Sequence, residues 1–194
     1  MDELGRFHLL SDDDLPGALV VEPVKGLSGK ALHEVALAER RMDKPLCFRH
    51  DLGSKVYDVV ATTWIVPFLL SPKVVDVLRE GSFTGWDVHP ARIELNGGKR
   101  VEDHGALMVS GRSGPVDDAL SETVTLPPPV PEGNEVPGLR GLLFDPASWD
   151  GSDVFTPETT TFVMVTDAVR EALEAVSPTN LHLERITEIE RMKV

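Results

Sequence analysis

One cysteine, Cys47, and one tyrosine, Tyr57, stand in 194 residues, and aromatic side chains make up only 6% of the chain. A single thiol excludes an internal disulfide and fits a reducing compartment. Basic residues are also scarce: 19 Lys and Arg face 32 Asp and Glu, a net charge of −13. Such a surface repels phosphate, which argues against nucleic acid or an anionic membrane as partner. It suits a basic protein, approached with electrostatic steering. No apolar run approaches the ~20 residues that span a bilayer. The opening MDELGRFHLLSDDDLPG lacks the basic start and apolar run of a secretory signal. The expected location is the cytoplasm.

Catalytic signatures are missing too. Gly26-Leu27-Ser28-Gly29-Lys30 ends like a phosphate loop, but Val24 replaces its first glycine and Ala31 the Ser or Thr that would hold magnesium. Gly111-Arg112-Ser113-Gly114-Pro115 puts proline where a nucleophile elbow needs its last glycine. His8, His33, His50, His89, His104 and His182 form no i,i+4 pair, and Cys47 has no Cys-X-X-Cys partner, so zinc is not expected. His50-Asp51 reads as a surface pair, and Asp12-Asp13-Asp14 as a solvated turn. The sequence names no catalytic residue, cofactor or metal.

What it does contain is a passage used twice. Residues 68–88, FLLSPKVVDVLREGSFTGWDV, align without a gap on residues 163–183, VMVTDAVREALEAVSPTNLHL, at an offset of 95 positions. Only four of the 21 pairs are identical, so the order of residue types carries the likeness. Three strand-favouring residues precede Ser71 or Thr166, whose hydroxyl is expected to cap a helix. Pro72 and Asp167 suit the first helical position. Val74, Val75 and Leu78 make one apolar stripe, and Val169, Ala172, Leu173 and Val176 the other. Gly85 and Asn180 fall at turns and tolerate positive φ. The unit is strand, short helix, strand.

Around these units the sequence predicts strands at Arg6–Leu10, Ala18–Glu22 and Ala106–Val109, and a helix over residues 28–42 capped by Ser28 with Leu32, Val35 and Ala36 inward. Tyr57–Ala61 reads as a short helix or a strand. Asn96-Gly97, between Arg92–Leu95 and Lys99–Val101, signals a tight hairpin. Residues 113–139 hold no Lys or Arg, five acids and six prolines, and read as a long exposed loop, either a linker or an insertion. The expected fold is therefore α+β: a mixed sheet with two similar strand–helix–strand units near 57–95 and 155–190, plus a β-hairpin, in one domain over 1–194.

Just before the second unit stands Trp149-Asp150-Gly151-Ser152-Asp153-Val154-Phe155. Physically, Gly151 permits a turn, Asp150 and Asp153 can bind local amides, and Trp149 and Phe155 plug into a core. The other reading makes the acidic pair a recognition surface. The stretch FDPASWDGSDVF, followed by an apolar strand, VTDAVREAL and TNLHLERI, resembles the carboxy-terminal half of immunity-protein family eleven of bacterial polymorphic toxin systems. FLLSPKVVDVL is similar to that family's first strand–helix segment, and the resemblance spans about residues 45–190. It implies a small cytoplasmic protein that binds a cognate toxin without chemistry of its own. Asp150, Asp153 and Glu158 are the candidate partner-binding residues, and Trp149, Gly151 and Phe155 the structural ones. A regulatory or structural interaction module and an uncharacterised enzyme are the alternatives.

Overall fold

Several short stretches are apolar at every position: Val59-Val60, Leu69-Leu70, Ala106–Val109, Val154-Phe155 and Val163–Val165. Strands that read this way are covered on both faces, and the architecture supplies three apolar layers to cover them. The structure, a computed structural model, describes residues 2–24, 26–64 and 66–193. In chain order it contains β1 (Phe7–Ser11), β2 (Val20–Pro23), α1 (Gly29–Ala36), β3 (Leu46–Leu52), β4 (Val59–Thr62), β5 (Leu69–Leu70), α2 (Pro72–Glu80) and β6 (Trp86–Glu94). Next come β7 (Arg100–Val101), β8 (Gly105–Val109), β9 (Gly111–Ser113), β10 (Glu122–Leu126) and β11 (Val136–Arg140). The chain continues with β12 (Val154–Pro157), β13 (Val163–Thr166), α3 (Asp167–Val176), β14 (His182–Arg185) and β15 (Glu190–Met192). The class is α+β.

One sheet runs β3-β2-β4-β5-β8-β6-β7, and a parallel β3–β6 pairing, with Leu46 opposite Ala91, closes six of its strands into a barrel. Val21, Phe48, Val60, Leu69, Ile93 and Met108 pack together with Leu32 and Val35 of α1. A second sheet, β14-β1-β13-β12-β9, stays open, and Phe155 and Met164 on it pack with Phe7, Phe144 and Ile186. The alternate residues of both sheets, among them Val59, Leu70, Leu107, Val154 and Val165, meet Val74, Leu78, Val169 and Leu173 of α2 and α3 in a shared layer. Each of these large side chains contributes about 1.5–3 kcal/mol through burial.

The two sheets repeat one another in register. Val59 faces Leu70 and Val60 faces Leu69; 95 positions on, Val154 faces Val165 and Phe155 faces Met164. In the barrel β8 lies between β5 and β6, with Leu107 opposite Val88; in the open sheet β1 lies between β13 and β14, with Leu10 opposite Leu183. Along the chain, however, β1 precedes the barrel strands and β8 precedes the other open-sheet strands. Each half therefore lends its first strand to the other.

Three local expectations need correction. Residues 113–139 are no loop: β10 and β11 pair antiparallel, Glu122 with Arg140 through Leu126 with Val136, and β15 extends them to three strands. Pro127 to Pro129 and Pro131 lie in the connection outside the ladder, and Pro137, which has no N–H, offers its carbonyl to the Lys193 amide. Ser71 and Thr166 stand at the N-caps of α2 and α3, but neither hydroxyl caps its helix; each donates instead to a carboxylate, a stronger acceptor. The first helix does begin at Ser28, whose Oγ accepts from Ala31 N, but it stops at Ala36 because Ala38 turns to φ +55°. Asn96–Gly98 form the hairpin turn between β6 and β7, with Leu95 N–H bonded to Lys99 O. Of Tyr57–Ala61, the last three residues belong to β4.

Candidate partner-binding surface

The stretch before β12 is bound inward. Phe155 is fully buried, and Trp149 partly buried, its ring edge-on to Phe7 with centroids 5.0 Å apart. Trp149 Nε1 donates to Ser152 O at 3.0 Å, and the Arg6 guanidinium lies 4.8 Å from its ring centroid. Gly151 turns the chain at φ +89°. Asp150 accepts from the amides of Ser152 (2.9 Å) and Arg112 (2.8 Å). Burial pushes its carboxyl up, but these hydrogen bonds and the Arg112 charge together hold it below the usual range.

Asp153 reaches farther, into the other half of the molecule. Its Oδ2 accepts from the Thr84 amide (2.9 Å) and hydroxyl (2.8 Å), while the Thr166 hydroxyl lies 3.4 Å from Oδ1. Asp58, 95 positions earlier, does the same in reverse. Its Oδ2 accepts from the amide (2.8 Å) and hydroxyl (2.9 Å) of Thr179, and its Oδ1 from the Ser71 hydroxyl (2.7 Å). Burial raises the Asp58 carboxyl, and the bonds from Thr179 and Ser71, helped by Lys73, outweigh it and lower the group overall. Asp58 and Asp153 form a reciprocal clamp, each tying the cap of its own helix to the turn after the other. Sequence reasoning missed Asp58. The signal was present, since the 95-residue offset continues upstream of the aligned segments.

Of Asp150, Asp153 and Glu158, only Glu158 leaves its carboxylate without an intramolecular partner among the described residues. It lies in the β12–β13 connection, on a groove of about 300 Å³ that it shares with Leu37, Glu39, Arg112 and Thr156 to Thr160. The loop is ordered by its own polar groups: Thr160 Oγ1 donates to Pro157 O at 3.0 Å and accepts from Phe162 N at 3.3 Å. Arg112 fixes the wall of the groove. One guanidinium nitrogen donates to Val109 O (2.7 Å) and Gly111 O (2.8 Å), and the other to Leu37 O at the end of α1. Phe162 stands 39% exposed on this loop, and Trp64, in the equivalent connection between β4 and β5, is 54% exposed. The two connections abut, since Val66 and Pro67 from one and Thr161 from the other line a single crevice with Val163 at the start of β13.

No protein-family model matches this chain, and no curated protein matches it significantly.

A larger concavity lies elsewhere, between the start of β1 and the β10–β11 hairpin, with Leu4, Leu120, Leu143, Arg140 and Arg185 in its walls and about 650 Å³ of space. Its arginines are already engaged: Arg140 with Glu122 and Glu190, Arg185 with Glu188. His89 and His104 border another cavity, where their Nε2 atoms meet the backbone carbonyls of Lys44 and Tyr57, each at 3.0 Å. Among the described residues no three His, Cys, Asp or Glu side chains gather as metal ligands would, and no helix is long and apolar enough to cross a membrane.

Proposed function

We propose that this protein is an immunity protein that binds and neutralises a toxin encoded by a neighbouring gene, without turnover of its own. The observation that carries the proposal is the surplus of free carboxylates on the folded surface. Arg170 already holds Asp167, Glu171 and Glu174, and Arg140 holds Glu122 and Glu190. Even so, Asp14, Glu39, Asp43, Asp76, Glu80, Glu132, Glu135 and Glu158 stand exposed with no cation within ion-pair distance among the described residues. Such a surface favours encounter with a basic protein. The resemblance of residues 45–190 to immunity-protein family eleven supplies the identity of that partner, and the cytoplasm is where it would be met.

Co-expression tests the proposal. Cells making the toxin of the adjacent gene should survive only when this protein is made as well, and the two proteins should co-purify. Death despite soluble protein, together with no binding to an active toxin, would refute the immunity reading. The same experiment would then favour a regulatory interaction module with another partner.

A further inference from the structure

Exposed aromatic residues are unusual in a chain with so few of them. Of its 11 aromatic side chains, Trp64 and Phe162 are the two that stand exposed among the described residues, and both belong to the abutting β4–β5 and β12–β13 connections. Neither is loosely placed. A Cβ on Gly29 would come within 2.5 Å of the Trp64 ring, so the indole lies directly on the glycine at the start of α1. Phe162 follows a turn closed on Thr160. Rigid aromatic anchors lose little conformational freedom on binding, and Trp is over-represented among the residues that dominate interface energies. Along the β12–β13 connection, at the other end of α1 from Trp64, Glu39 and Glu158 line one groove and neither has a cationic partner among the described residues. The one cation lining that groove, Arg112, has three of its N–H donors committed to carbonyls. Both glutamates border the groove without an ion pair, so a lysine or arginine entering from outside finds free carboxylate acceptors there.

We infer that these two connections and the groove beside them are the contact face for a basic protein. Trp64 and Phe162 serve as apolar anchors, and Glu39 and Glu158 receive a cationic side chain. The inference rests on the immunity reading for the identity of that protein, the toxin of the adjacent gene. It is separate from that reading in where it places the interface.

The test uses the full chain and the purified toxin domain, with binding kinetics and melting temperature measured for each variant. The double variant W64A/F162A should melt within a few degrees of the parent and bind at least 100-fold more weakly, chiefly through faster dissociation. E39Q/E158Q should associate several-fold more slowly at low salt and lose part of its salt dependence. E132Q/E135Q removes the same charge from the far tip of the β10–β11 hairpin and should bind like the parent. Folded W64A/F162A and E39Q/E158Q proteins that both bind within threefold of the parent would overturn the face while leaving the immunity reading intact. A slowing by E132Q/E135Q equal to that of E39Q/E158Q would show general attraction in place of a local groove. A parent chain that does not bind the toxin at all would remove the occupant together with the proposed function.

Discussion

Replacing Asp153 or Asp58 with alanine tests whether the reciprocal clamp holds the two halves together. Each carboxylate has an amide and two hydroxyls directed at it, and Asp58 has Lys73 at 3.5 Å as well. Hydrogen bonds to a charged group are worth about 1.5–3 kcal/mol each when shielded from water. Here Thr84 and Thr179 lie near solvent and can rehydrate, so the expected loss is about 3 kcal/mol per clamp rather than the full sum. For a domain of this size that lowers the melting temperature by about 6–12 °C. Because the bonds correspond pair by pair, D58A and D153A should cost similar amounts. Thr84→Val and Thr179→Val, which remove the hydroxyl and keep the amide, should each cost about 1 kcal/mol. Differential scanning calorimetry on the four variants is the assay. Shifts below about 2 °C in both aspartate variants would refute the clamp as a source of stability.

Acid sensitivity should follow from Asp58 together with Asp150 and Asp167. Asp58, Asp150 and Asp167 are lowered when folded, so the unfolded chain takes up protons first as pH falls. Their contribution is complete above the unfolded value of about 4 and is lost as pH drops through the folded values, so urea midpoints should fall steeply below pH 4, and less steeply in D58N. Gly85→Ala should destabilise by more than 3 kcal/mol or prevent folding, because φ there is +83° and a Cβ would lie 2.1 Å from Val154 O; soluble protein with an unchanged midpoint would contradict this. Trp149→Ala should cost about 2–3 kcal/mol by chemical denaturation, below the usual range for a fully buried aromatic, since the ring is only partly covered. Toxin association should slow as salt rises from ~0.05 to ~0.5 M, with dissociation changing less, in stopped-flow measurements.

The elements that could be read from the sequence are those where local chemistry and tertiary packing agree. The helical stripe of Val169 and Leu173, the Ser28 cap and the turn at Gly85 each required only a few neighbouring residues. The β10–β11 hairpin was hidden because its prolines cluster in the connection and their abundance masks Glu122–Leu126, a strand rich in β-favouring residues. Barrel closure was illegible for a different reason: Leu46–Arg49 meets Ala91–Glu94 in a parallel pairing that no turn signals. The hydroxyls of Ser71 and Thr166 were read as caps because the competing carboxylates at 58 and 153 lie outside the window that a helix start makes visible. At the candidate surface, Glu158 was within reach of sequence reasoning, whereas the exposure of Trp64 and Phe162 depends on which loops abut, and that is a property of the assembled sheets.

The exchange of first strands has a consequence for how the chain must be made. On a ribosome β1 emerges ahead of the barrel strands, whereas its neighbours β13 and β14 follow them. β1 must wait unpaired while more than 150 residues follow it, so the open sheet cannot close during synthesis of the barrel half. Contacts this far apart in sequence give slow folding and a late, concerted closure. Cleavage or stalling anywhere before β13 would leave β1 as an exposed apolar edge, a species that chaperones and proteases recognise. Because each sheet holds a strand from the other half, neither half on its own supplies all the strands of its sheet.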